Sequence, residues 1–179
     1  MKHNILTAHK VIGTLVGIIV FLLLFKYVTI PAGVPNTKIT LAPAWLALIT
    51  AIFGPIAGAV VAFIGHTLND GLASGTVWWT WAIADGMFGL FLGLATQRIG
   101  LFIGSLTARK LVLFNVWQLI ANVVAWLVIA PLGDHWIYGL ALSESYQQGV
   151  VAALANTVVI AVLGTALITV YNRYFVKQN

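Results

Sequence analysis

Val11-Ile12-Gly13-Thr14-Leu15-Val16-Gly17-Ile18-Ile19-Val20-Phe21-Leu22-Leu23-Leu24 runs without a single charged residue. With its flanks, residues 8–28, it supplies the ~20 mostly apolar residues that a helix needs to cross the hydrocarbon core of a bilayer. The next residues, Phe25-Lys26-Tyr27, offer no small-residue cleavage site, so the run reads as a retained span and not as a signal peptide. That reading makes the chain an all-α integral membrane protein.

Composition points the same way. Of 179 residues, 61% are hydrophobic and only 7% charged, where soluble domains run near 45–50% and about 25%. A mean hydropathy of +1.01 excludes a soluble globular domain and a disordered chain alike. Nine Lys and Arg against four Asp and Glu leave a net charge of +5. Among so few charges, this excess is a topology signal and not a nucleic-acid footprint. The chain has no cysteine, which excludes disulfides, thiolate metal sites and cysteine catalysis.

Working outward from the first span, the Pro/Gly-rich stretch from Pro31 to Lys38 cannot continue a helix. Two shortened helices follow, residues 41–53 and 56–70, joined by a tight turn at Gly54-Pro55. Further spans are expected at residues 77–96, 111–130 and 147–170. A polar bend separates the fourth from the fifth, and the longest polar excursion covers residues 131–146. The expectation is a six-transmembrane-helix bundle forming one membrane domain over residues 1–179. With both termini cytoplasmic, Lys2, Lys10, Arg98, Arg109, Lys110, Arg173 and Lys177 lie inside, against Lys26 and Lys38 outside. That distribution follows the positive-inside rule.

Small residues mark expected helix contacts: Gly13 with Gly17 on the first helix, Gly54, Gly58 and Ala62 on the third, and Gly89 with Gly93 on the fourth. Such faces let backbones approach closely in lipid. Packing within the chain is expected for the third and fourth helices, whereas the first could equally meet a partner subunit.

Polar groups inside spans are costly, so their grouping is informative. His66, Asn69 and Asp70 share one face near the outer end of the third helix. Trp78, Trp81 and Asp85 share a face of the fourth. Asn115, Gln118, Asn122 and Trp126 form a stripe on the fifth, with Asn115 and Gln118 reading as packing contacts. Asn156 lies on the sixth, below Tyr146, Gln147 and Gln148 at its outer mouth. The candidate substrate-binding residues are therefore His66, Asn69, Asp70, Trp78, Trp81, Asp85, Asn122 and Asn156. Amides and carboxylates can bond ring nitrogens and hydroxyls while indoles stack on a flat ring, which suits a small heteroaromatic solute. A metal site is not expected, because His66 with two carboxylates lacks a fourth ligand and the usual spacings. No phosphate-binding GxxxxGK[ST] loop is present to energise transport, and no GxSxG nucleophile to support acyl chemistry.

The stretch Phe53-Gly54-Pro55-Ile56-Ala57-Gly58, followed by Phe63-Ile64-Gly65-His66-Thr67-Leu68-Asn69-Asp70 and then Trp78-Trp79-Thr80-Trp81, resembles the substrate-specific S components of energy-coupling factor (ECF) vitamin transporters. The similarity is closest to members of the hydroxymethylpyrimidine or pyridoxine type. In size and helix plan it extends over nearly the whole chain, and its motifs concentrate between Phe53 and Gly93. The resemblance implies a bacterial plasma-membrane subunit that needs no cofactor and is not an enzyme. It implies capture of a vitamin at the outer face and delivery inward, by toppling in the membrane, with a transmembrane coupling subunit and two cytosolic ATPases. It also implies that Pro31 to Lys38 act as a lid, and that Gly13 and Gly17 occupy the docking face for the coupling subunit, where the family more often has alanines. A different class remains open on the residues alone: a stand-alone proton-coupled carrier with His66, Asp70 and Asp85 as relay.

Overall fold

A computed structural model describes residues 2–176, with side chains from Ala8 onward. Lys177 lies outside the described residues, as does the side chain of Lys2. The chain is helical almost throughout: α1 (Lys2–Tyr27), α2 (Ala42–Phe53), α3 (Pro55–Ser74), α4 (Trp79–Ile99), α5 (Ala108–Tyr138) and α6 (Leu142–Phe175). Among these, α1 from Ala8, α3, α5 and α6 are long and apolar enough to cross a membrane. The helix α2 is too short, and α4 carries Asp85, Gln97 and Arg98 along its length. Large apolar side chains stand exposed along the outer faces, among them Ile12, Leu15 and Ile19 on α1 and Leu154, Val158 and Val162 on α6. Apolar surface of that extent is what a lipid-facing helix presents.

The expected polar excursion after residue 130 is instead mostly helix. Residues 125–129 form a π-turn, in which the Ala130 N–H bonds the Ala125 carbonyl five residues back. The widened turn accommodates Pro131, whose ring would clash with the carbonyl four residues back in a regular α-helix. The helix therefore continues through Asp134 to Tyr138 and stops at Gly139, which takes a left-handed φ of 69°. A second π-turn, residues 160–164, lies in α6.

The stretch after α1 is also more ordered than a Pro/Gly loop suggests. Thr29–Pro31 (β1) and Lys38–Thr40 (β2) pair antiparallel, with Ile30 opposite Ile39. The turn closes through Ala32 N–H to the Thr37 carbonyl, with Asn36 at φ 56°. Thr40 ties the hairpin to the end of α1 by donating its hydroxyl to the Leu24 carbonyl at 3.0 Å.

The helix α2 sits at the centre, with Leu46, Ala47 and Ile49 buried among its neighbours. The pair α3 and α4 meet at their glycines. A Cβ added at Gly89 would stand 2.5 Å from the Gly58 carbonyl oxygen, and one at Gly93 would strike the backbone of Pro55. Both helices thus pack backbone to backbone, as the small-residue spacing implies.

The glycines of α1 do not form a free docking face. A Cβ at Gly13 would strike the Phe53 ring, and one at Gly17 would stand 2.9 Å from Val61 and 3.2 Å from Ile49. The Gly17 carbonyl also accepts the Trp45 indole N–H at 3.2 Å. Gly13 and Gly17 therefore seat α1 on α2 and α3 within the chain. The physical reason is that a bulky ring at Phe53 and branched side chains at Ile49 and Val61 need a groove, and these two glycines provide it. The face of α1 left exposed is the apolar one carrying Val11, Ile12 and Leu15.

Candidate functional site

The C-terminal parts of α1 and α3, the N-terminal parts of α2, α4 and α6, Trp126 from the middle of α5 and the hairpin surround a cavity of about 570 Å³. Its volume lies within the ~300–1,000 Å³ typical of small-molecule sites. Arg98, Arg109, Lys110 and Arg173 belong to the opposite ends of their helices.

One wall is built by α3 and α4. Because α3 continues past residue 70 to Ser74, His66, Asn69 and Asp70 sit well inside it on a single face. Close glycine packing brings that face against α4, and His66 Nδ1–H donates to Asp85 Oδ2 at 2.6 Å. His66 Nε2 lies 3.5 Å from Asp70 Oδ2, so the imidazole is held between two carboxylates. The ring of Phe25 on α1 packs beside it, 5.0 Å between centroids. Asp70 also accepts the Trp78 backbone N–H at 3.1 Å, tying the end of α3 to the start of α4. His66 and Asp85 are both buried, and each has the partner that such burial demands.

The second wall is aromatic and is held from behind. Asp134 is 0% exposed and accepts three donors from one short segment. The Trp78 indole N–H reaches its Oδ1 at 2.8 Å and the Trp81 indole N–H its Oδ2 at 2.8 Å. The Thr80 hydroxyl donates to Oδ1 as well. Tilted ring contacts complete the arrangement: the Trp78 centroid lies 4.5 Å from that of Tyr138, and the Trp81 centroid 5.2 Å from that of Trp126. With their N–H edges anchored and their neighbours packed, Trp78, Trp81 and Trp126 present fixed surfaces to the cavity.

Of the residues expected from sequence, His66, Asn69, Asp70, Trp78, Trp81, Asp85 and Asn156 line this one cavity. Asn122 does not reach its wall. It is fully buried, accepts the Trp126 indole N–H at 3.1 Å and donates to Gln118 Oε1 at 3.0 Å. It therefore supports Trp126 from behind. Gln118 in turn donates to the Thr157 carbonyl and Asn115 to the Thr165 hydroxyl, so both join α5 to α6.

Several lining residues stand outside the substrate-binding set expected from sequence. Thr37 and Lys38 enter from the hairpin, Glu144 and Gln148 from the start of α6, and Phe21 from α1. Asp134 stands outside that set because a proline three residues earlier signals a loop. The signal available was its rarity, as one of only four acids in the chain. Among the described residues, no group of three His, Cys, Asp or Glu side chains is arranged to hold a metal ion.

A family model described as the S component of an ECF-type riboflavin transporter matches residues 5–173. A UPF0397 protein of Leuconostoc citreum is 47% identical over 178 residues, covering 99% of this chain and 95% of that protein. A UPF0397 protein of Lactiplantibacillus plantarum is 44% identical over 163 residues, covering 91% and 88%. A third, from Lactococcus lactis, is 42% identical across 96% of this chain and 93% of its own length. No solved structure matches the chain.

Proposed function

The chain belongs to the S components of ECF-type transporters, and we propose that it captures a small heteroaromatic vitamin or precursor at the outer face of the cell membrane. S components are multi-pass membrane subunits, not enzymes, that bind small vitamin substrates and work with a coupling subunit and ATPases. In this reading the whole chain is one membrane unit whose six helices cross the bilayer, with both termini cytoplasmic. The cavity then opens outward, away from the basic helix ends, and the bound solute passes inward with a transmembrane coupling subunit and two cytosolic ATPases.

The observation that carries the proposal is the cavity wall itself. Anchored indoles offer stacking faces, while His66, Asn69, Asp70, Asp85 and Asn156 offer donors and acceptors around them. A pyrimidine or pyridine carrying hydroxymethyl groups, as in hydroxymethylpyrimidine and pyridoxine, matches that chemistry. The volume of about 570 Å³ favours a second reading, since it leaves room for a larger fused ring such as riboflavin.

Titration of the purified chain in lipid nanodiscs with these three compounds, read by tryptophan fluorescence, tests the proposal. Saturable quenching by one of them is the expected result, and no response to any would overturn it. Asp85→Ala removes the acceptor of His66 and an acceptor on the cavity wall. A hydrogen bond to a charged group contributes about 1.5–3 kcal/mol, so affinity should fall by roughly 10–100-fold. Proteoliposomes holding this chain alone should show no uptake under a pH gradient. Gradient-driven uptake there would favour the proton-coupled carrier, with His66, Asp70 and Asp85 as its relay.

A further inference from the structure

The chain has four acidic residues, and the fold gathers all of them at this cavity from four different helices. Asp70 of α3, Asp85 of α4 and Glu144 of α6 line it, and Asp134 of α5 stands directly behind Trp78 and Trp81. Lys38 is the one Lys or Arg among the lining residues. With His66 neutral, three acids and one lysine sum to −3 + 1 = −2, and with His66 protonated to −1. Either state leaves the cavity negative inside a chain whose net charge is +5.

Two physical effects then act in the same direction. A concave site of one sign, walled by low-dielectric material, concentrates the opposite charge. Trp78, Trp81 and Trp126, together with Phe21 and Phe25, line the same space, and an aromatic ring attracts a cation to its negative face. Neutral rings of equal shape gain the ring contacts and hydrogen bonds but not the attraction of charge.

We propose that the captured solute carries a positive charge, as a protonated amine or a charged ring nitrogen, held among Asp70, Asp85 and Glu144 with its ring against the tryptophans. The inference rests on the vitamin-capture reading and specifies its substrate class.

Matched probes separate the two. Pyridoxamine and pyridoxine share a ring and differ by an amine in place of a hydroxyl. The aminomethyl and hydroxymethyl forms of the pyrimidine differ in the same way. On the chain in nanodiscs, the amine of a pair should bind about ten-fold or more tightly than its neutral partner. Asp70→Asn, which keeps an acceptor for the Trp78 N–H, and Glu144→Gln, at an exposed position, should each shrink the preference for the amine over its neutral partner. Equal binding within both pairs, tighter binding of the neutral rings, or capture of riboflavin with rejection of the amines would overturn the charge and leave vitamin capture standing. Failure of all five compounds would overturn both.

Discussion

Gly89→Leu is expected to leave little folded protein, because the position has backbone where a side chain would go. A Cβ there would already stand 2.5 Å from the Gly58 oxygen, 2.6 Å from its carbonyl carbon and 3.0 Å from the Ala59 nitrogen. A neighbouring side chain could rotate away; these atoms cannot move without separating α3 from α4. Overpacking in a well-packed interior costs about 1–3 kcal/mol and occasionally more. Gly89→Ala should sit at the upper end of that range, and the larger leucine should exceed it. Separation of the two helices also breaks the contact between His66 and Asp85, so binding should be lost with the fold. Gly71→Ala is the matched control, since nothing lies within 4 Å of its added Cβ and alanine is the better helix former. Thermal unfolding in detergent, read by size-exclusion chromatography, should show Gly89→Ala several degrees below the parent and Gly71→Ala unchanged or slightly above. Equal stability of the two variants would mean that α3 and α4 do not pack at this distance.

Asp134→Ala should be nearly as damaging, through binding first. It strips the partner from two indole N–H groups and one hydroxyl, and a buried polar group left unsatisfied costs about 1–3 kcal/mol. Asp134→Asn is the sharper probe. Its shape is nearly unchanged, but one of the two oxygens becomes an NH2 that can only donate, facing an indole that can also only donate. One tryptophan must then turn or go unpaired, so affinity for the captured ring should fall about ten-fold or more. Tryptophan emission should change even in the empty protein. Thr80→Val removes one of the three donors without touching either indole, and its effect on binding should be small. Full affinity in Asp134→Asn would show that the carboxylate does not orient the tryptophans.

Much of the site could be read from spacing. His66, Asn69 and Asp70 share a face because three and four residues make about one helical turn, and Trp78, Trp81 and Asp85 follow the same rule. Their common cavity required a further fact, that α3 and α4 touch along their glycines. The residues outside the expected set stand there for identifiable reasons. Pro131 signals a helix end, and only the preceding π-turn lets the helix run on to Asp134. Lys38 lies in a stretch whose prolines and glycine suggest an irregular loop, and strand pairing brings it to the cavity. For Gly13 and Gly17, spacing marks a face that admits close approach without saying what approaches. Phe53, Val61 and Ile49 answer that from within the chain.

The sequence by itself determined the solvent and the local order. Long uncharged apolar runs belong in lipid, where a helix satisfies its own backbone hydrogen bonds, so membrane residence and helical class follow from composition and length. It also determined which polar residues share a helix face, because the helical repeat is a local property. Only the tertiary structure decided which faces meet. That choice depends on shape at close range, on a glycine opposite a carbonyl at Gly89 and a glycine beneath a phenyl ring at Gly13. It also decided that four acids scattered over 75 residues, from Asp70 to Glu144, surround one cavity. Electrostatic attraction could not have drawn such like charges together; the packing of the helices holds them there.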